Sequence, residues 1–252
     1  MAPTASTTET AEPRRRERRR RHSRKHDRSP RYLAIGMIAF GVAISVGAAP
    51  RLNAAIDRLD GDEIVKRVAT RQPVDPADLD LALTTRRRAR ADLPLASTLG
   101  DIALIRLVQA RAFKPNSRER QAALDEAIAM TREALTHEPG SSFLWMRLAE
   151  AELQRSGLGP RAAAALRQSL RTGPWLSGLS FPRLELAFLL LPQMDEETRA
   201  LVQEQVRVIA GWKPDRLAES TRRRYAMEFV RDALASDEGM LAAFDRAWGE
   251  LR

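Results

Sequence analysis

The chain of 252 residues contains no cysteine and only three histidines. The lack of cysteine excludes disulfides, thiol nucleophiles and metal sites with cysteine ligands, and it suits an exported bacterial domain as well as a cytosolic one. His22 and His26 lie near the N-terminus and His137 stands alone, so the sequence predicts no metal site. The chain also lacks Gly-x-Ser-x-Gly, a P-loop and His-Glu-x-x-His, and it therefore predicts neither an enzyme nor a cofactor.

The positive charge is concentrated at one end of the chain. The formal net charge is +9, and residues 1–31, with eleven basic and four acidic residues, account for seven of these charges. The remaining residues are close to neutral, so the basicity belongs to a tail and binding of nucleic acid by a folded domain is not expected. Nothing in residues 1–31 forms an apolar face, and we predict a disordered tail.

An uncharged stretch follows the tail and covers residues 32–49. As a helix it is about 27 Å long, enough to cross a bilayer. A cleaved signal peptide is an alternative, because Gly47 and Ala49 resemble a cleavage site. The long region before the stretch, and Pro50 directly after it, weigh against cleavage. A buried core helix requires polar residues on one face, and this stretch has only Ser45. We predict a single transmembrane helix.

Flanking charges predict its orientation. Eleven basic residues precede the stretch, whereas residues 50–70 contain four. The positive-inside rule then places the N-terminus in the cytoplasm and the rest of the chain in the periplasm, anchored to the bacterial inner membrane. The residues predicted to set this topology and to contact lipid headgroups are Arg14, Arg15, Arg16, Arg18, Arg19, Arg20 and Arg21.

The sequence after Pro50 predicts an all-α fold of about ten helices, because helical periodicity recurs and strand-like alternation does not. Asp75-Pro76 predicts a helix start, Asn116-Ser117 precedes a helix over Arg118–Leu135, and Asp195 opens a helix over Glu196–Ile209. Residues 50–96 are interpreted as a helical linker region. Residues 215–252 are interpreted as one further helical pair that caps the domain. Its apolar contacts are expected from Tyr225, Phe229, Leu234, Met240, Phe244 and Trp248.

The segment 97–214 carries a repeat signal. Pro139, Pro174 and Pro214 each follow a predicted helix, at intervals typical of helical repeats. Trp145, Leu148 and Ala149 have the spacing W-x2-L-A, so this unit resembles a tetratricopeptide repeat. The resemblance implies a solenoid of helical hairpins after the membrane helix, with a protein-binding groove along the first helix of each hairpin. With Trp145 as the inward anchor, the candidate groove residues are Leu104, Val108, Met146, Glu150 and Gln154. The alternative is that they are ordinary surface or core residues, and Leu104 and Val108 fit the core best.

Two short basic runs have open interpretations. Residues 86–90 contain four arginines and residues 222–224 contain three. Each run could meet an anionic polysaccharide or lipid headgroups, but such runs more often form a helix face paired with nearby acids.

A second resemblance concerns function. The segments that carry it are Leu170-Arg-Thr-Gly-Pro-Trp175, Leu184-Glu-Leu-Ala-Phe188 and the helix ending Val-Arg-Val-Ile-Ala-Gly-Trp212. Over about residues 97–230 the chain resembles membrane-anchored accessory proteins of bacterial polysaccharide biosynthesis, although the long Arg-rich tail departs from that family. The resemblance implies a scaffold that binds envelope proteins of polysaccharide polymerisation or export. The alternative is an adaptor whose tail binds RNA, ribosomes or acidic proteins.

Overall fold

A computed structural model describes residues 29–251, with side chains from Arg31 onward. Within this range the chain is all-helical and contains no strand. It divides into two compact units, one up to Leu52 and the other from Asn53. The predicted topology and lipid-contact arginines, Arg14–Arg21, lie outside the described residues.

The first helix, α1, runs from Ser29 to Ala69 and includes Pro50. Pro50 has no N–H to donate to the carbonyl of Val46, so the helix loses one backbone hydrogen bond there. An apolar 18-residue window of this helix has a mean hydropathy of 2.0, and none of it is buried. This confirms that the segment is not a core helix. Its length and composition fit a membrane span or a signal sequence.

Ten α-helices follow in the described chain. They are α2 (Pro76–Asp92), α3 (Ala96–Ala112), α4 (Arg118–His137), α5 (Ser142–Ser156), α6 (Pro160–Thr172), α7 (Ser177–Leu190), α8 (Glu196–Trp212), α9 (Pro214–Arg224), α10 (Met227–Leu234) and α11 (Glu238–Glu250), with a single 3-10 turn at Leu191–Gln193.

Local signals account for the helix starts. The hydroxyl of Ser117 accepts the backbone N–H of Arg120 at 3.1 Å, and Asp195 caps α8 in the same way through Thr198 at 2.9 Å. Proline occupies the first turn of α2, α6 and α9, where its missing N–H has no helical partner to lose. The helix starts predicted at Pro76, Arg118 and Glu196 are confirmed.

The second unit contains two apolar clusters. The main core draws side chains from α1 to α8, including Val65, Leu79 and Leu83 from the segment predicted as a helical linker. The other cluster joins Phe181 and Phe188 of α7 to residues of α8, α9, α10 and α11. The sequence segment between the membrane stretch and the repeats therefore contributes to the same core as the repeats.

The C-terminal region differs from the predicted helical pair, since it contains the three helices α9, α10 and α11. Tyr225 adopts a left-handed conformation, with φ of 55°, and ends α9. Its side chain is 95% exposed, so its predicted packing role is wrong. Phe229, Leu234, Met240, Phe244 and Trp248 do belong to the cluster, as predicted.

Candidate binding surface

The helices α3 and α5 lie side by side and hold the predicted groove residues. Leu144 of α5 is close to Gly100 of α3, and the guanidinium of Arg147 donates to the Gly100 carbonyl. A second link is the ion pair between Arg111 of α3 and Glu150 of α5. Burial lowers the pKa of Arg147, and the nearby carboxylates of Asp101 and Glu150 oppose that shift. These two polar contacts join the middle of α5 to opposite ends of α3.

Four of the five predicted groove residues remain partly accessible. Leu104 and Val108 are half-buried and pack against the main core. Glu150 is also half-buried, in its pair with Arg111. The Oε1 atom of Gln154 is buried, and no group in the described part of the chain donates a hydrogen bond to it.

Met146 corrects the prediction, because it is only 8% exposed and belongs to the main core. The predicted orientation took Trp145 as the inward anchor. The indole N–H of Trp145 instead donates to the carbonyl of Pro139 at 2.7 Å, and Trp145 is only partly buried. A polar N–H needs an acceptor, which the surface loop supplies. Met146 therefore packs in the core, while Trp145 lies beside it at the edge of the core.

The basic run of α2 is paired with acids. Arg87 contacts Glu126 and Arg90 contacts Glu133, at 2.7 and 2.9 Å. Burial acts to raise the pKa of Glu126, but hydrogen bonds from Arg87 and Arg106 outweigh it, so the pKa lies below its ordinary value.

Arg86, in the same run, is fully buried. Its guanidinium donates to Asp62 of α1, to Asp101 of α3 at 2.9 Å, and to the carbonyl of Arg58 at 2.9 Å. Arg86 therefore links α1, α2 and α3, and the sequence did not indicate this role.

The second basic run has the same character. Arg223 and Arg224 of α9 both contact Glu185 of α7, at 2.7 and 2.8 Å, and Arg222 donates to the Leu251 carbonyl. Burial acts to raise the pKa of Glu185, but these contacts outweigh it and lower the pKa. Both runs thus hold helices together, and their charge is largely matched within the domain.

A polar cavity of about 300 Å³ lies among α4, α5 and the start of α6. Its lining residues are Asp125, Ile128, Arg132, Glu152, Arg155, Ser156 and Arg161. Arg155 contacts Asp125 and Arg132 contacts the buried Glu152, each at 2.6 Å. The arrangement offers no free carboxylate for acid–base chemistry, and its one surplus positive charge suits a small anion. The residues come from three helices without a local motif, so sequence reasoning could not assemble them.

Three large aromatic side chains near helix termini of the second unit are exposed. Arg58, near the start of this unit, donates to Ser97 at the beginning of α3. The three side chains are Phe143 at the beginning of α5, Trp175 in the loop between α6 and α7, and Trp212 at the end of α8. Phe181 of α7 contacts Trp212, with ring centroids 5.9 Å apart.

Within residues 29–251, no three carboxylate or imidazole groups converge in a way that would hold a metal ion. Comparison of the chain with models of protein families, with curated proteins and with solved structures finds no match.

Proposed function

We propose that this protein is a membrane-anchored scaffold that binds other proteins. In this proposal the apolar part of α1 spans the bacterial inner membrane, with its N-terminus in the cytoplasm, and the second unit lies in the periplasm as a tetratricopeptide-like array of hairpins. The observation that carries the proposal is the pairing of a fully exposed apolar stretch in α1 with a domain built only from packed helices. Lipid is the natural cover for that stretch, because leaving it in water exposes a large apolar surface.

The packing order of the helices supports the array. Each helix from α3 to α8 contacts the next one, and contacts also join α3 to α5, α5 to α7, and α6 to α8. Contacts between every second helix are what stacked hairpins produce, since first helices then lie against first helices.

The proposed binding surface is the accessible side of α3 and α5, with Leu104, Val108, Glu150 and Gln154. It combines two partly buried apolar side chains with the carboxylate of Glu150 and the partly exposed side chain of Gln154. Such a surface suits a helix or an extended segment that brings an apolar side chain and a hydrogen-bond donor. Components of polysaccharide polymerisation or export are the partners that the family resemblance implies.

The test is a crosslinked pull-down of C-terminally tagged protein from native membranes, quantified by mass spectrometry. The variant Glu150→Arg with Gln154→Arg should reduce recovery of the partner at least about tenfold, equivalent to about 1.4 kcal/mol. Glu228→Arg is the matched control, because it reverses an exposed charge on α10 and should leave recovery unchanged.

Two results contradict the proposal. One is equal recovery by the groove variant and the control. The other is recovery of ribosomal or RNA-binding proteins that disappears when Arg14–Arg21 are neutralised, which would transfer the function to the tail.

A further inference from the structure

A row of large apolar side chains on α1 has no cover in the described chain. Leu52, Ile56 and Leu59 are 61%, 55% and 66% exposed. They follow one another at intervals of four and three residues, which places them on one side of a helix. The other side is occupied, because Ala54 is buried and Gly61 lies against Ala82 and Thr85 of α2.

The same spacing continues backwards along the sequence in steps of three and four. The full series is Ile35, Ile38, Val42, Ser45, Ala49, Leu52, Ile56 and Leu59. This is a heptad register in which the a positions are Ile35, Val42, Ala49 and Ile56, and the d positions are Ile38, Ser45, Leu52 and Leu59. β-Branched residues at a with leucine at d favour parallel two-stranded coiled coils.

Only after Ala49 can the heptad pattern be distinguished from a generally apolar sequence. Within residues 32–49 nearly every side chain is apolar or small, so many spacings would fit. Between Pro50 and Leu59 the apolar positions of the register are interrupted by charged and polar residues such as Arg51, Asn53 and Asp57. Glu63 occupies the next a position and is exposed, so the apolar register stops at Leu59.

Lipid cannot cover the whole row. At about 1.5 Å per helical residue, Leu52 lies about 5 Å and Leu59 about 15 Å beyond Ala49 along the helix. The headgroup region adds only about 5–8 Å on each side of the hydrocarbon core. Leu52 can contact lipid, whereas Ile56 and Leu59 extend beyond the headgroups. These two side chains are removed from water only if another protein surface packs against them.

We propose that α1 forms a parallel two-stranded coiled coil with α1 of a second copy of this chain, through Leu52, Ile56 and Leu59 and the heptad positions before them. A second copy presents the same register, so each side chain meets its own equivalent across a two-fold axis. The parallel direction rests on the proposed membrane anchor, which gives both copies the same orientation and a high effective concentration. Left-handed crossings of this kind are also common between membrane helices.

The test uses the absence of cysteine from the chain. Single cysteines are placed at Leu52, Ile56 and Leu59, and at Arg51 and Asn53 as controls, which lie about 100° to either side of Leu52. The full-length protein is oxidised in native membranes with copper phenanthroline, and disulfide-linked dimers are measured on non-reducing gels. The three row positions should give at least about fivefold more dimer than the controls, because a–a′ and d–d′ pairs are the closest in a parallel dimer.

A second measurement uses substitutions that leave the fold intact. Ile56→Glu with Leu59→Glu adds charge on the exposed side and should convert dimers to monomers in light scattering of detergent-solubilised protein. Leu81→Glu, which changes an exposed leucine of α2, should leave the dimer unchanged. Monomers for the unmodified chain, or equal crosslinking at all five positions, would each overturn the proposal.

Failure of the anchor would appear differently. A chain cleaved after Ala49 and released from the membrane would refute the anchor by its mass. Crosslinking at Ile56 and Leu59 relative to Asn53 would still be measured on that released chain and would decide the dimer by itself.

Discussion

Arg86 provides the most demanding test of how the domain is held together. Its side chain is 1% exposed and contacts Asp62, Asp101 and the Arg58 carbonyl, so it ties the Asn53–Ala69 part of α1 to α2 and α3. Replacing it by methionine keeps most of its volume and removes the charge. Breaking a buried ion pair by removing one partner costs about 3–5 kcal/mol.

The structure places the expected loss at the lower end of that range. Asp62 is half exposed and regains water, and Asp101 keeps Arg58 at 3.4 Å. We therefore expect Arg86→Met to lower the free energy of unfolding by about 3 kcal/mol, or the Tm by about 6–12 °C. The assay is denaturant and thermal unfolding of the full-length protein in detergent, followed by circular dichroism.

The matched control is Arg87→Met, one residue along the same run. Arg87 is half exposed and contacts Glu126 alone, so Arg87→Met should lower the free energy of unfolding by less than about 1 kcal/mol. Equal, small losses for Arg86→Met and Arg87→Met would refute the reasoning.

Further predictions concern packing, pH and buried charge. A Cβ at Gly61 would overlap the hydroxyl of Thr85 and lie 3.2 Å from the Cα atom of Ala82, so Gly61→Ala should destabilise the protein by about 1–3 kcal/mol. Gly211→Ala meets only an ordinary contact of 3.7 Å and should be neutral or stabilising by up to about 1 kcal/mol; the reverse order in thermal unfolding would contradict this. Because the pKa of Glu126 lies below its ordinary value of 4.5, its contribution to stability is complete above pH 4.5 and is lost as the pH falls through the lower folded value. Glu126→Gln should therefore flatten the acid decline of the denaturation midpoint, and an unchanged slope would count against the ion pairs with α2 and α3. Burial lowers the pKa of Arg183 to about 10, so its side chain stays charged at neutral pH, and it donates to two carbonyls at the end of α6. Arg183→Met should lower the Tm, because it leaves these carbonyls without that donor. An unchanged Tm would show that the carbonyls do not need it.

Helix positions were predictable because their signals are local. The hydroxyl of Ser117 and the carboxylate of Asp195 each cap a backbone N–H three residues later, and a single sequence contains both members of such a pair. The apolar stretch of α1 was equally evident, since it depends only on length and composition.

Rotation and burial depend on distant residues and were not predictable. The spacing around Trp145 suggested an inward ring, but the Pro139 carbonyl holds the indole N–H near the surface and Met146 fills the core instead. Arg86 was expected among exposed arginines, and only Asp62 and Asp101, from two other helices, allow its burial. The left-handed turn at Tyr225 has neither the glycine nor the asparagine that usually indicates one, so the third C-terminal helix was missed.

The most direct test of the central claim is the sidedness of the protein in the membrane. Two variants each carry a single cysteine, Ser6→Cys in the tail and Gly140→Cys at an exposed position with open space around it. Intact cells are treated with a maleimide that does not cross the inner membrane. The proposal predicts that Gly140→Cys is labelled in intact cells and that Ser6→Cys is labelled only after lysis, on a protein of full mass. Labelling of Ser6→Cys alone in intact cells, or a mass that lacks the first 49 residues, would contradict it.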